Sequence, residues 1–313
     1  MSFKSLFKTF TKTISITGLG ISSLVTFTSP IKAENFNMKA CPEPGSANAN
    51  LTYIANTLNG ECLHTPDQYK LTIYEMGLCT SDPISTGVFN KEDNNCVQTM
   101  LSTSGTEVDL APGNSASKTA GLPSAATRPA NGSYSHAYIL LSNAFKMKGS
   151  YQLADGTTYY SKESTDEYGA FGAANKTISA SEEHTDLVDN MYFGEEENGW
   201  DGVMSATDMP GGGKVAALLL KTCVDDTCIG SSAVATSQSE VGRLLGVFET
   251  NSGSPVVISE ATKGIEVELI VKSDPSNPSN SGGGYLIIGW DQGSGFDLRM
   301  FGSAPFKPKF TTF

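Results

Sequence analysis

The stretch that decides the fold is YQLADGTTYY, residues 151–160. The pair Asp155-Gly156 separates two short runs rich in Tyr and Thr, residue types that are common in strands. A type I′ turn needs positive φ at both central residues, and Asp-Gly is among the pairs that adopt it most readily. The sequence therefore predicts a β-hairpin across 151–160, closed by a type I′ turn.

Further short strands follow this hairpin at a spacing typical of β-sandwiches, separated by Gly, Pro, Asn and Ser. No internal repeat of fixed period is present, and the only window with a partial helical stripe is 239–248. The sequence predicts an all-β fold, an antiparallel β-sandwich or a related Greek-key architecture with long loops, as one domain or two β subdomains. The predicted C-terminal strands are Val215–Cys223, Ile229–Thr236, Leu244–Thr250, Pro255–Ser259, Ile265–Lys272, Tyr285–Trp290 and Phe296–Phe301.

An earlier strand is predicted over residues 68–76, QYKLTIYEM, where apolar and polar residues alternate with period two. The alternation places Tyr69, Leu71, Ile73 and Glu75 on one face of this strand. By contrast, residues 101–133 are a Ser, Thr, Ala, Gly and Pro tract with almost no large apolar residues. That composition predicts a long loop or linker.

The first 33 residues have the layout of a secretory signal peptide. Lys4, Lys8 and Lys12 precede a mostly apolar stretch over 14–27, and the small residue Ala33 ends the segment. This stretch is too short and too polar for a membrane span, which needs about 20 mostly apolar residues. The resulting organisation is a signal peptide (1–33), a disulfide-stapled β region (34–100), a loop or linker (101–133) and a main β domain (134–313).

All six cysteines follow the proposed signal peptide, which predicts disulfides formed in an oxidising compartment. The spacing favours a disulfide between the two late cysteines, across a tight loop. Among the four early cysteines it favours bonds between neighbours along the chain, although these four allow three different pairings. A zinc site is disfavoured because there is no C-x-x-C pair. The predicted pairs are Cys41–Cys62, Cys79–Cys96 and Cys223–Cys228.

The charge balance excludes nucleic acid as a partner. Residues 34–313 contain 17 Lys and Arg against 33 Asp and Glu, a formal net charge of −16. Binding to phosphate backbones depends on neutralisation by Lys and Arg, so such a surface repels nucleic acids and anionic membranes.

Catalytic motifs are absent from the sequence. It contains no G-x-S-x-G, H-E-x-x-H or EF-hand pattern. Gly211-Gly212-Gly213-Lys214 resembles a phosphate loop but lacks the earlier Gly and the Ser or Thr after Lys214, so it is interpreted as a turn. We therefore expect that the protein is not an enzyme and has no cofactor, with Ca²⁺ as the one ion to consider.

Acidic residues around His184 are the candidate Ca²⁺ ligands, because Ca²⁺ takes six to eight oxygen ligands. Their spacing matches no known ligand pattern, and a solvated acidic loop is the simpler interpretation. The candidates are Glu182, Glu183, Asp186 and Asp189.

Two Trp-Asp pairs beside glycines are candidate sugar-binding positions. A Trp ring can stack on a pyranose, and the neighbouring carboxylate can accept hydroxyl hydrogen bonds. The simpler interpretation is a Trp that fills the core beside a turn. The candidates are Trp200, Asp201, Trp290 and Asp291.

These patterns favour an exported, non-catalytic structural or assembly protein of the cell surface or of an extracellular filament or layer. Export, low charge and many small polar residues suit subunits that associate with themselves or with other surface proteins. Segments 34–50 and 303–313 are candidate exchange arms, since an open sheet edge can accept a strand from a partner. The alternative is a secreted module that binds glycans or Ca²⁺.

Overall fold

The computed structural model describes residues 39–85, 87–111, 117–119, 127–164, 172–189, 201–209, 211–222, 234–273, 276, 283–291 and 295–313. The predicted signal peptide and the Cys223–Cys228 pair lie outside the described residues. One helix, α1, spans Leu51–Thr57. The strands are β1 (Glu61–His64), β2 (Gln68–Cys79), β3 (Ile84–Ser85), β4 (Val88–Phe89), β5 (Val97–Asp109), β6 (Ser117–Thr119), β7 (Gly132–Tyr134), β8 (His136–Ser142), β9 (Ala144–Lys148), β10 (Ser150–Gln152), β11 (Thr158–Lys162), β12 (Gly172–Asn175), β13 (His184–Leu187), β14 (Val203–Asp208), β15 (Lys214–Lys221), β16 (Val241–Glu249), β17 (Val256–Ile258), β18 (Ile265–Ile270), β19 (Tyr285–Asp291), β20 (Phe296–Ser303) and β21 (Lys307–Thr312).

Two large antiparallel sheets dominate the described residues. The eight-stranded sheet has the order β13-β9-β2-β8-β16-β15-β14, and β5 also pairs with β2. The six-stranded sheet has the order β1-β19-β20-β12-β11-β10. Smaller sheets join β7 to β17, β3 to β4, and β6 and β21 to β18. This architecture confirms the predicted all-β, sandwich-like fold.

The main hydrophobic core lies between the two large sheets. Tyr69 and Leu141 from the eight-stranded sheet share one cluster with Tyr285 and Phe301 from the six-stranded sheet. The opposite face of the eight-stranded sheet carries a second cluster that includes Tyr138 and residues of β3 and β4. Strand β8 is therefore buried on both faces, which explains its continuous apolar run over residues 137–141.

The hairpin at 151–160 is confirmed, but its turn differs from the predicted one. Strands β10 and β11 pair through Tyr151 and Tyr159, and the Leu153 amide donates to the Thr157 carbonyl at 2.7 Å. Three residues close the loop, and only Gly156 among them has positive φ, at 87°. Such a three-residue loop places glycine in the left-handed region after a turn, so Asp155 needs no unusual φ.

Strand β2 confirms the predicted core face only up to Ile73. Tyr69, Leu71 and Ile73 pack in the main core, and then the pairing register shifts between Ile73 and Glu75. Beyond this bulge Met76 faces the main core, and Glu75 instead reaches Tyr138. The prediction for Glu75 is wrong because a β-bulge adds one residue and reverses the alternation.

Six of the seven predicted C-terminal strands are confirmed by β15 to β20, and most of the seventh, Ile229–Thr236, lies outside the described residues. The partial helical stripe at 239–248 is instead strand β16, which pairs on both sides with β8 and β15.

The predicted loop from residue 101 is wrong for residues 101–109, which continue β5 against β2. Small polar side chains suffice there, because most of β5 is not fully buried. Helix α1 was not predicted, since its seven residues are too few to show a stripe.

In this single chain the described parts of both candidate exchange arms pack within their own chain, and exchange between chains stays a prediction. Strand β21 pairs with β18 inside the same chain, and Phe306 and Phe310 are buried. At the other end, Asn50 caps α1 by accepting the Tyr53 amide at 2.8 Å. Residues 39–50 and 303–313 thus contact the rest of the fold in the described part of the chain.

Disulfides confirm the pairing that spacing favours. Cys41 is bonded to Cys62 and Cys79 to Cys96, closing sequence separations of 21 and 17 residues. Both bonds tie short local loops, which restricts the unfolded chain and stabilises the fold. Two disulfides suit an oxidising, extracellular type of environment.

Candidate functional site

The site with the most unusual chemistry lies where strand β13 meets the six-stranded sheet. Period-two alternation directs His184 and Asp186 inward, and they are only 1% and 2% exposed. Together with Tyr69 and Tyr285, which surround them, we call these residues the seam cluster. It brings two titratable groups into the interior between the two large sheets.

The Asp186 carboxylate links the two sheets. Its Oδ2 accepts the backbone N–H of Ser303 on β20. Burial raises the pKa of Asp186 to about 6, and the Ser303 hydrogen bonds act in the opposite direction. The charge of Asp189 adds to the rise. The midpoint of its protonation therefore lies near pH 6, below neutral pH.

His184 is buried as a neutral ring. Neither ring nitrogen has a hydrogen-bond partner among the described residues. Burial lowers the pKa of His184 to about 4, whereas the Phe301 backbone and Glu183 act in the opposite direction. Its ring centroid lies 6.0 Å from that of Tyr285. Because burial outweighs the effects of the Phe301 backbone and the Glu183 charge, a charged imidazolium is disfavoured at this position.

Glycines allow the rings of the seam cluster to lie against neighbouring backbone. A Cβ on Gly172 of β12 would come within 2.4 Å of the His184 ring, and one on Gly149 within 2.1 Å of Tyr285. Tyr285 also stacks on Phe301, with ring centroids 5.0 Å apart and planes 12° apart. The Tyr69 hydroxyl donates to the Ala304 carbonyl at 2.9 Å. His184 on β13 therefore packs on the backbone of β12, and Tyr69 joins β2 to the residue after β20.

The seam cluster does not form a nucleophile-and-base pair. The nearby Ser161 hydroxyl donates to the Glu182 carbonyl at 2.9 Å and accepts the Gly149 amide at 3.0 Å. An activated nucleophile needs a hydrogen bond to a base, and His184 makes none among the described residues. The arrangement is suited to joining two sheets.

The four predicted Ca²⁺ candidates have four different environments. Glu182 is exposed, and Glu183 pairs with Lys70 at 3.0 Å. Asp186 is buried against Ser303, whereas Asp189 accepts from Gln238 at 2.9 Å. No group of three or more acidic, His or Cys residues suited to a metal ion occurs in the described part of the chain. The structure does not bring these carboxylates together as a ligand set.

The Trp-Asp candidates belong to different sheets. Asp201 precedes β14 of the eight-stranded sheet, and its carboxylate accepts the Val203 amide at 2.8 Å in a local turn. Trp290 and Asp291 end β19 of the six-stranded sheet, where they pair with Asp297 and Phe296. Trp200 and the side chains of Trp290 and Asp291 lie outside the described residues. The sugar-binding interpretation stays a prediction.

A second buried polar network was missed by sequence reasoning. Glu75 accepts hydrogen bonds from the Tyr138 hydroxyl at 2.5 Å and from the Lys91 ammonium. The Lys91 nitrogen also lies 5.5 Å from the Tyr138 ring centroid, and Phe89 packs against the same ring. The signal in the sequence is a lone Glu in an otherwise apolar alternation, which gives no indication of its partners.

Comparison with known proteins gives no relative: no family model, no curated protein and no solved structure matches this chain. Within the residues described, no helix has the length and apolar character needed to cross a membrane. The fold and the contacts above are therefore the basis for any functional interpretation.

Proposed function

We propose that this chain is an exported, non-catalytic β protein that associates with copies of itself or with other proteins at the cell surface. The two disulfides support folding in an oxidising compartment. Two buried carboxylates are used within the fold: Asp186 binds Ser303, and Glu75 binds Lys91 and Tyr138. This use of polar groups supports a structural role.

The observation that carries the proposal is that two of the three exposed large apolar side chains among the described residues lie beside one loop, whereas the third, Leu187, lies on β13. Val257 on β17 is 60% exposed, and Phe313 after β21 is 67% exposed. Both border the loop 259–264, since the Phe313 carbonyl accepts the amides of Lys263 and Gly264. Among the described residues β17 pairs only with β7, so this end combines apolar side chains with a short strand edge.

We expect the purified exported protein to form oligomers or polymers in light scattering after size exclusion and in negative-stain microscopy. The double variant Val257→Lys/Phe313→Lys is expected to be monomeric, because two charges at an apolar contact must be desolvated on association. Its circular dichroism spectrum should match that of the original protein, since both side chains are exposed.

The control is Thr103→Lys/Ser104→Lys, which adds the same charge to exposed positions of β5. This control should associate as the original protein does. A monomeric original protein, with or without Ca²⁺, would contradict the proposal and favour the glycan- or Ca²⁺-binding alternative. Equal association of both double variants would show that the contact lies elsewhere.

A further inference from the structure

Asn131 precedes a glycine in an exposed bend just before strand β7. The side chain of Asn131 and the two residues that follow it, Gly132 and Ser133, are all exposed. Gly132 pairs with Ile258 as the last pair of the three-residue ladder between β7 and β17, and ladder ends open at little cost. The chain itself therefore places an accessible backbone nitrogen, that of Gly132, next to the side-chain amide of Asn131.

The Arg128 guanidinium holds this amide by its oxygen. One nitrogen of Arg128 donates to Oδ1 of Asn131 at 2.9 Å and to the Ser259 carbonyl at 2.7 Å, and another donates to the Pro129 carbonyl at 3.0 Å. A guanidinium has donors only, so the oxygen of the amide must face it. Its positive charge polarises the C=O bond and stabilises negative charge that develops on Oδ1 when a nucleophile attacks Cγ.

The backbone on either side of Asn131 also suits such an attack. The hydroxyl of the buried Tyr134 donates to the Ala130 carbonyl at 2.9 Å, which holds the peptide before Asn131. Gly132 follows with no Cβ to hinder rotation of its nitrogen toward the amide. Nucleophile, electrophile and a cation at the oxygen are thus brought together within residues 128–134.

We propose that Asn131 is a self-modification site, at which the chain converts its own side-chain amide to a carboxyl group without an enzyme. The Gly132 nitrogen forms a bond to Cγ of Asn131, and the bond from Cγ to Nδ2 breaks. Nδ2 leaves as ammonia with the proton of the Gly132 N–H, and a succinimide ring remains. Water then opens this ring at either carbonyl, which gives aspartate or, with the peptide bond through Cγ, isoaspartate. The inference does not depend on the proposed association.

A second Asn-Gly pair, Asn59-Gly60, lacks the accessible backbone. Gly60 is buried, and its amide donates to the Ile54 carbonyl at 2.9 Å. A Cβ on Gly60 would lie 2.7 Å from the Gly289 carbonyl oxygen, so this backbone is closely packed. The folded protein should therefore modify Asn131 and protect Asn59. A third pair, at 198–199, lies outside the described residues.

Peptide mapping by mass spectrometry, after incubation of the exported protein at about pH 8, tests this inference. In the folded protein Asn131 should lose its amide at least roughly tenfold faster than Asn59, because local opening is needed at Asn59. In urea the two rates should become similar. The rate at Asn131 should rise with pH, since the Gly132 nitrogen must give up its proton, and chromatography should resolve aspartate and isoaspartate products.

Two variants separate the roles of the neighbours. Arg128→Met should slow the loss of the amide by roughly three- to tenfold, because the charge at the oxygen is removed. Gly132→Ala should slow it by roughly tenfold, because a Cβ hinders the approach of the nitrogen. Lys263→Met is the matched control, since it removes an exposed charge from the neighbouring loop 259–264 and should leave the rate unchanged.

Circular dichroism checks that each variant keeps the fold, and Gly132→Ala remains a test if Arg128→Met does not. Equal rates at Asn131 and Asn59 in the folded protein would overturn the inference. An intact amide at Asn131 after the incubation, or a faster loss in Arg128→Met than in the original protein, would also overturn it.

Discussion

Replacement of Lys91 by methionine is expected to lower the free energy of unfolding by about 3–5 kcal/mol. Lys91 is the cationic partner of Glu75, which lies beneath it against Tyr138. Glu75 is buried, so without Lys91 its charge is left in the interior with only the Tyr138 hydroxyl as partner. Loss of one member of a buried ion pair costs more than the pair contributes, because the remaining charge stays desolvated. Urea unfolding at neutral pH measures the loss.

Lys146→Met is the matched control for this prediction. Lys146 pairs with Glu107 at 2.9 Å, but both side chains are about half exposed, at 47% and 48%. A surface pair of this kind contributes about 0–1 kcal/mol. The double variant Lys91→Met/Glu75→Gln should recover part of the stability, since glutamine keeps an acceptor for Tyr138 and carries no charge. Equal losses for Lys91→Met and Lys146→Met would show that Glu75 is hydrated in the folded protein.

Replacement of Gly149 by alanine is the second change with a large expected effect. The new Cβ would lie 2.1 Å from the Tyr285 ring, a distance that side chains cannot tolerate. The ring cannot move away easily, because Tyr285 is fully buried and stacked on Phe301. Overpacking of this kind costs about 1–3 kcal/mol or more. We expect a lower urea midpoint, together with a changed near-UV circular dichroism signal from the tyrosines.

Gly132→Ala provides the comparison for this prediction. Gly132 lies on β7, and the nearest atom to its added Cβ is 3.7 Å away, an ordinary contact. An unstrained Gly-to-Ala change restricts the unfolded chain and is expected to raise stability by about 0.4–1 kcal/mol. If Gly149→Ala proved as stable as Gly132→Ala, the close approach of Tyr285 to β9 and β10 would be disproved.

Sequence reasoning predicted the features that depend on neighbours along the chain. The hairpin around Gly156 needs only two adjacent strands and a glycine with positive φ, so its residues carry the information locally. The pairs Cys41–Cys62 and Cys79–Cys96 close short loops, for which spacing is a good guide. The short strands of the C-terminal half follow from β-prone runs between turn residues for the same reason.

Sequence reasoning interpreted the candidate site wrongly although it noticed the residues. The residue pattern around His184 and Asp186 indicates a solvated acidic loop or a Ca²⁺ site, because charged neighbours such as Glu182 and Glu183 hide the alternation of a four-residue strand. The residue pattern places Glu75 on the same face as Tyr69, Leu71 and Ile73, because a bulge in β2 leaves no mark in that pattern. In both places a strand partner elsewhere in the chain determined which side chains point inward.

The sequence by itself determined the β class, the local hairpin and the two loop-closing disulfides, since each depends on residues close together in the chain. Only the tertiary structure decided which polar groups are buried and what they contact. Asp186 meets Ser303 across 117 residues, and Tyr69 meets Ala304 across 235. The pKa of a side chain depends on this environment, because desolvation is set by the neighbours that exclude water.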